Sequence, residues 1–173
     1  MTPRGATWDA ETAVEQLYAA HWRQLVRLSV LLVRDLGTAE EVVQDSFVAL
    51  HDRWSRLRDP ERALAYLRQS VVNRSRSVLR HRKVEAKHAP IPGVAPAADD
   101  GALAHARRDA VLEAMRQLPD RQREVVALRY YLDLSEADIA ETLGISRGAV
   151  KSHSSRGLAA LKLSLGPLME DVS

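Results

Sequence analysis

The sequence predicts an all-α protein: two small helical domains joined by a flexible linker. Three observations lead there. Hydrophobic residues make up 46% of the chain but aromatics only 5%, so the cores must be built from Leu, Val and Ala, which favour helices over sheets. Apolar residues recur at three- and four-residue steps through most of the chain. Between residues 84 and 106 that pattern lapses into Pro90, Pro92, Gly93 and Pro96, followed by Asp99, Asp100 and Gly101; this reads as a linker and a domain boundary. A chain of 173 residues has room for two modest cores.

Residues 1–10 read as a frayed, polar terminus with no apolar segment of the signal-peptide kind. The first helix is expected over residues 11–35, on the apolar positions Val14, Leu17, Tyr18, Trp22, Leu25, Val26, Leu28 and Leu32. Its apolar stretch is broken by Arg27 and falls short of the ~20 residues a membrane span needs. Leu36-Gly37 is expected to end this helix, and Thr38 to cap the next, with Glu41 at the capping-box position. Val42, Val43, Phe47, Val48, Leu50 and Trp54 predict the buried side of the second helix, and Glu41, Gln44, Asp45 and Asp52 its outer side. Asp59-Pro60 has the form of a helix start. The third helix should run to about residue 83, with Leu67, Val71 and Val72 inward and Arg62, Arg68, Asn73, Arg74, Arg76, Arg80 and Arg82 spread around the rest.

The second domain is expected over residues 107–163. A helical run from about residue 107 carries Val111, Met115 and Leu118, and Pro119-Asp120 breaks it. Residues 122–131 form another run with Val125, Val126, Leu128 and one of Tyr130 or Tyr131 inward. Residues 134–161 then read as a helix-turn-helix, whose second helix enters the DNA major groove. Ser135 can cap its first helix, Gly144 suits a helix C-terminus that needs positive φ, and Ser146 can cap its second helix. Gly166-Pro167 is expected to stop that helix, leaving residues 164–173 as a tail.

The charges are sorted along the chain although the net charge is only +2. Acids dominate before residue 53; from there to Lys87 eleven basic residues face three acids, Asp59, Glu61 and Glu85. Within the helix-turn-helix the first helix carries Glu136, Asp138 and Glu141, and the second carries Arg147, Lys151, Arg156 and Lys162. Such polarity predicts a polyanion at one surface and a different partner at another. Arg147 and Lys151 share a face at the start of the second helix, and Ser146, Ser152, Ser154 and Ser155 add hydroxyls suited to phosphate or base contacts. In the third helix, arginines suit phosphates, Asn73 a base edge and Tyr66 stacking on an unpaired base. The plainer alternatives are a solvated helical hairpin and a core tyrosine. The chain has no cysteine, which excludes disulfides, thiol catalysis and cysteine zinc sites and fits a cytoplasmic protein. Its six histidines do not pair with carboxylates at ligand spacing, and no Gly-rich phosphate loop or nucleophile elbow is present. No enzyme, no cofactor and no small-molecule substrate is therefore expected.

The order of these parts resembles the extracytoplasmic-function (ECF) sigma factors of bacterial RNA polymerase. Residues 39–54, AEEVVQDSFVALHDRW, are similar to the family's region 2.2, and residues 118–161 to its region 4; the ending SSRGLAAL is similar to the sigma-E-like subgroup of actinomycetes. The resemblance implies that Glu41, Gln44 and Asp45 contact the β′ clamp helices of core RNA polymerase. It implies that Arg58, Arg62, Tyr66, Arg68, Asn73, Arg74 and Arg76 bind and melt the −10 promoter element. It implies that Ser146, Arg147, Lys151, Ser152, His153, Ser155 and Arg156 read the −35 element, with the β flap as a further contact. An anti-sigma factor is a further partner the resemblance allows, and membrane insertion is not expected. His153, Ser154 and Ala149 depart from residues frequent in the family, which bears on the −35 sequence read. The competing reading is a helix-turn-helix regulator that is not a polymerase subunit; it leaves the cationic third helix without a purpose.

Overall fold

The computed structural model describes residues 9–57, 59–85 and 101–169, and all regular structure among them is helical. The first domain is α1 (Ala10–Val33), α2 (Leu36–Arg53), a 3-10 turn (Trp54–Arg56) and α3 (Pro60–Glu85). The second is α4 (Ala102–Gln117), α5 (Asp120–Val126) running on as a π-helical turn (Ala127–Tyr131), α6 (Glu136–Leu143) and α7 (Arg147–Met169). In the first domain Leu25, Leu28, Val43, Leu50, Leu67 and Val71 are fully buried between the three helices. The hydroxyls of Ser29 and Ser75 meet there at 3.0 Å, so each satisfies the other. Val125, Leu128, Ile139 and Val150 centre the second domain, and the buried residues of both domains form one continuous cluster.

Local chemistry explains where the elements begin and end. Ser135 accepts a hydrogen bond from the Asp138 amide at 3.1 Å, and Ser146 one from the Ala149 amide at 3.1 Å. Gly144 closes α6 with φ 65°, a left-handed conformation that costs glycine nothing. Asp59 accepts from the Glu61 amide at 3.0 Å and starts α3.

Four expectations are corrected. The α1–α2 joint lies earlier than Gly37: α1 ends at Val33, Arg34 is left-handed at φ 61°, and Asp35, not Thr38, caps α2. Its carboxylate accepts from both the amide and the hydroxyl of Thr38. A carboxylate there opposes the positive end of the helix dipole, which a threonine hydroxyl does not. The bonds from Thr38 hold the Asp35 carboxyl below its usual range. The second helical run begins at Ala102 rather than near residue 107, because the Ala-rich segment after Gly101 contains no breaker. Residues 86–100, and with them Asp99-Asp100, lie outside the described residues. The last helix continues through Pro167 to Met169: a proline so close to the end deletes one hydrogen bond without disrupting turns beyond it. Val48 is 55% exposed rather than buried, because it continues the outer row of Gln44 and Asp52 at four-residue steps. Of the two tyrosines at the π-turn, Tyr131 packs inward and Tyr130 is exposed.

Candidate nucleic-acid interface

The outer face of α2 is built by its period. Glu41, Gln44, Asp45, Val48 and Asp52 are all exposed, at steps of three and four, while Val42, Val43, Phe47 and Leu50 between them are buried. Burial of one stripe therefore presents the acidic stripe outward. Behind it, Tyr18 stacks on Trp22 at 4.6 Å between ring centroids, and both rings pack on Phe47. This aromatic cluster fixes how α1 and α2 cross.

The residues expected to bind the −10 element divide between two sides of α3. Arg62, Tyr66 and Arg68 line one cleft, together with Asp138, Glu141 and Thr142 of α6. Arg76 continues that side and donates to Glu124 of α5 at 2.7 and 2.9 Å. Arg74 instead lines a groove between α2 and α3 beside Asp45, His81 and Arg82. Asn73 is exposed between the two, its side-chain oxygen 3.5 Å from Arg76 Nη1. Arg58 lies outside the described residues. Tyr66 is partly buried, and the guanidinium of Arg53 lies 5.7 Å above its ring, a cation–π contact that orients it. Sequence reasoning counted Arg53 among the cations but gave it no task, since the Arg53–Tyr66 spacing spans a turn and no helical rule links them.

Not every cation of α3 faces solvent. Arg82 donates to the Val33 carbonyl at 2.6 Å and to the Thr38 hydroxyl at 2.9 Å, capping the end of α1. Burial lowers the pKa of Arg68, Asp138 opposing, and its Nε makes no hydrogen bond among the described residues. Next to it, burial and the Arg68 charge lower the pKa of His21.

In α7 the residues Arg147, Lys151, Ser152, Ser155 and Arg156 are exposed and recur at four-residue steps on one face. The Ser146 hydroxyl is engaged as the cap. Lys151 lies 3.9 Å from Glu136, a loose exposed pair. His153 departs from the row: it is partly buried, and its Nδ1 has no partner among the described residues. The helix is held by Gly157, whose missing side chain lets α7 lie against α5; a Cβ there would come within 2.6 Å of Val126 Cγ2. Arg123, nearly buried, donates to the carbonyls of Met115, Arg116 and Leu118 at 2.7–3.0 Å and so fixes the α4–α5 corner that supports the motif. Among the described residues no cluster of three or more His, Asp or Glu could hold a metal, and no helix is long and apolar enough to cross a membrane.

Two family models match separate parts of the chain. The family model for Sigma-70 region 2 matches residues 17–84, and that for Sigma-70, region 4 matches residues 108–161. An RNA polymerase sigma-E factor of Streptomyces avermitilis is 34% identical over 139 residues, 80% of this chain and 76% of that one. The ECF RNA polymerase sigma factor SigM of Mycobacterium tuberculosis is 34% identical over 161 residues, 93% of this chain and 81% of that one. Among solved structures, the sigma factor RpoE of Bartonella quintana, in complex with the anti-sigma factor NepR, aligns with a TM-score of 0.73 at 25% identity over 88% of this chain and 96% of that one.

Proposed function

The chain belongs to the ECF sigma factors of the sigma-70 family, and from that premise we propose how its surfaces share the work of directing RNA polymerase to promoters. The observation that carries the reading is that one chain presents two unlike faces on separate domains: the acidic row of α2 and the basic row of α7. A protein that only bound DNA would need no such acidic row.

Glu41, Gln44 and Asp45 dock on the clamp helices of the β′ subunit. The exposed charges of Glu41 and Asp45 supply orientation and steering, and Val48 beside them, 55% exposed, offers apolar area to the contact. The second domain docks through contacts that include the β flap and lays α7 in the major groove of the −35 element. Arg147, Lys151 and Arg156 neutralise phosphates or read base edges there, and Ser152 and Ser155 add short polar contacts. His153, turned partly inward, positions α7 more than it reads DNA.

The −10 element is melted on α3. Extruding a base costs a few kcal/mol. Stacking on an aromatic face returns roughly 1–3 kcal/mol per base, and Tyr66, held by Arg53, is the aromatic available. Arg58, Arg62, Arg68, Asn73, Arg74 and Arg76 bind the backbone and edges of the opened strand. The protein carries out no bond chemistry; it lowers the cost of opening the duplex by binding the opened form. An anti-sigma factor is a fitting partner, since such a complex is formed by the structural relative.

The test is co-elution with core RNA polymerase in size-exclusion chromatography. The wild-type chain co-elutes; the triple variant Glu41→Ala, Gln44→Ala, Asp45→Ala does not. Equal co-elution of both would refute docking through α2.

A further inference from the structure

Arg53 is the last residue of α2, and it is exposed. The chain turns through residues 54–56 and the start of α3 before Tyr66 brings its ring back beneath the Arg53 guanidinium. That guanidinium makes no ion pair and no hydrogen bond among the described residues; what it meets there is the ring. Arg76 and Arg82, by contrast, are held by Glu124 and by the end of α1. A cation at the end of α2 also suits the helix dipole, but the dipole asks only for charge and is indifferent to shape. Tyr66 borders the cleft lined by Arg62, Arg68 and Gln69, and Arg53 is not part of that lining. Arg53 thus meets the ring outside the cleft, while Tyr66 leans on the core.

The separation is informative. The guanidinium carbon lies 5.7 Å from the ring centre. Flat groups stack at the roughly 3.4 Å step of B-DNA, so a base between two plates holds them about 6.8 Å apart. The observed gap is too wide for direct stacking of guanidinium on ring, and about 1 Å short of the space a base occupies. An exposed arginine makes up that difference by changing rotamer, with no movement of either helix.

We infer that Arg53 and Tyr66 are the two plates of a base-binding slot: an extruded base of the −10 strand enters between guanidinium and phenol ring and is stacked on both faces. This rests on the reading of Tyr66 as the residue that receives an unpaired base. Arg53 is then a binding residue in its own right, and in the free chain it covers the surface that the base will take. The role needs a flat cation. A guanidinium stacks on a base through its plane, whereas a lysine ammonium carries the charge without the plane. The ligand is an unpaired nucleobase of any kind, since every base has a π-face.

The experiment uses holoenzyme assembled from core polymerase and the full chain, on a promoter fragment of the source genome found by run-off transcription. The fluorescent base 2-aminopurine, dim when stacked, replaces the bases of the opened −10 strand one at a time. With the wild-type chain one position should stay dim in the open complex while its neighbours brighten. Arg53→Lys keeps the charge at the end of α2; it should brighten that position and weaken the open complex about tenfold, with the salt slope of binding unchanged. Arg53 is exposed, so the melting temperature of the free chain should not fall. Tyr66→Leu should brighten the same position, and adding Arg53→Lys to it should change little further. Wild-type fluorescence and affinity in Arg53→Lys would overturn the inference and leave Arg53 as a charge that orients the ring. So would dimness retained in Arg53→Ala together with the loss of about one unit of salt slope, which marks a phosphate contact. If Tyr66→Leu brightens the position and Arg53→Lys does not, the slot alone is wrong. If neither variant changes any position, the reading of Tyr66 falls as well.

Discussion

Arg76 and Glu124, 48 residues apart in sequence, are joined by two parallel hydrogen bonds of 2.7 and 2.9 Å across the boundary between the domains. Nothing local brings them together. Hydrogen bonding to Glu124 raises the pKa of Arg76 above its ordinary value, so the guanidinium keeps its charge at any working pH. Removing one partner of such a pair strands the other's charge, and a chain with two domains can escape by separating them. Glu124→Ala should therefore cost about 1–3 kcal/mol in urea unfolding, and Arg76→Ala should add little in that background. Additive losses would mean that the two residues act independently.

Gly157 has the opposite character, since it works by absence. Alanine is the better helix former by about 1 kcal/mol, yet its Cβ would sit 2.6 Å from Val126 Cγ2, a stiff and buried group. Overpacking of this kind costs about 1–3 kcal/mol. Gly157→Ala should lower the melting temperature, and Val126→Ala should relieve most of the loss. A stabilised Gly157→Ala would show that α7 can shift freely on α5.

Arg123 replaces several missing backbone donors at once, at the carbonyls of Met115, Arg116 and Leu118. Lysine cannot span that geometry. Arg123→Lys should destabilise the chain by about 2–4 kcal/mol, the cost of leaving buried carbonyls unpaired. Circular dichroism on heating would register it as early loss of helix.

Glu113 and His21, together with Asp35, contribute to the response to acid. Hydrogen bonds from Arg116 and Gln117 hold the Glu113 carboxyl at about 2, below its ordinary 4.5. Its contribution is complete above pH 4.5 and is lost as pH falls from there toward about 2. Burial and the nearby Arg68 push His21 below 6.5, so the unfolded chain takes up that proton first. Stability should then be complete above pH 6.5 and decline as pH drops just beneath it. Urea midpoints measured at pH 7.5 and 5.5 should differ, and His21→Gln should shrink the difference. An unaltered difference in His21→Gln would assign the decline to other groups.

On a fragment bearing its promoter, the holoenzyme should lose about one unit of salt slope for each of Lys151→Ala and Arg156→Ala, if each meets a phosphate. A residue that reads a base would instead relax sequence preference with little change in slope.

Much of this molecule could be read from its sequence, for reasons that are local. The helix periods, the caps at Ser135, Asp59 and Ser146, and the left-handed Gly144 all depend on residues within a few positions of one another. The exposed rows of α2 and α7 follow from period alone. What sequence did not disclose is tertiary. Asp35 outcompeted Thr38 as a cap only because both were in reach. Arg82 looked like one more DNA-facing cation, and the end of α1 claimed it. Arg68 and Arg76 face carboxylates from the other domain, which no spacing along α3 could reveal. Arg58 and residues 86–100 lie outside the described residues; the role of Arg58 is what the family likeness implies, and the linker reading rests on the prolines and glycine of that segment.

The most direct test of the central claim is run-off transcription with purified core polymerase on fragments of the source genome. The wild-type chain should give discrete new transcripts, and the variant Glu41→Ala, Gln44→Ala, Asp45→Ala should abolish them. No transcripts from the wild-type chain, combined with tight sequence-specific duplex binding by the chain alone, would contradict the account and make the protein a DNA-binding regulator instead.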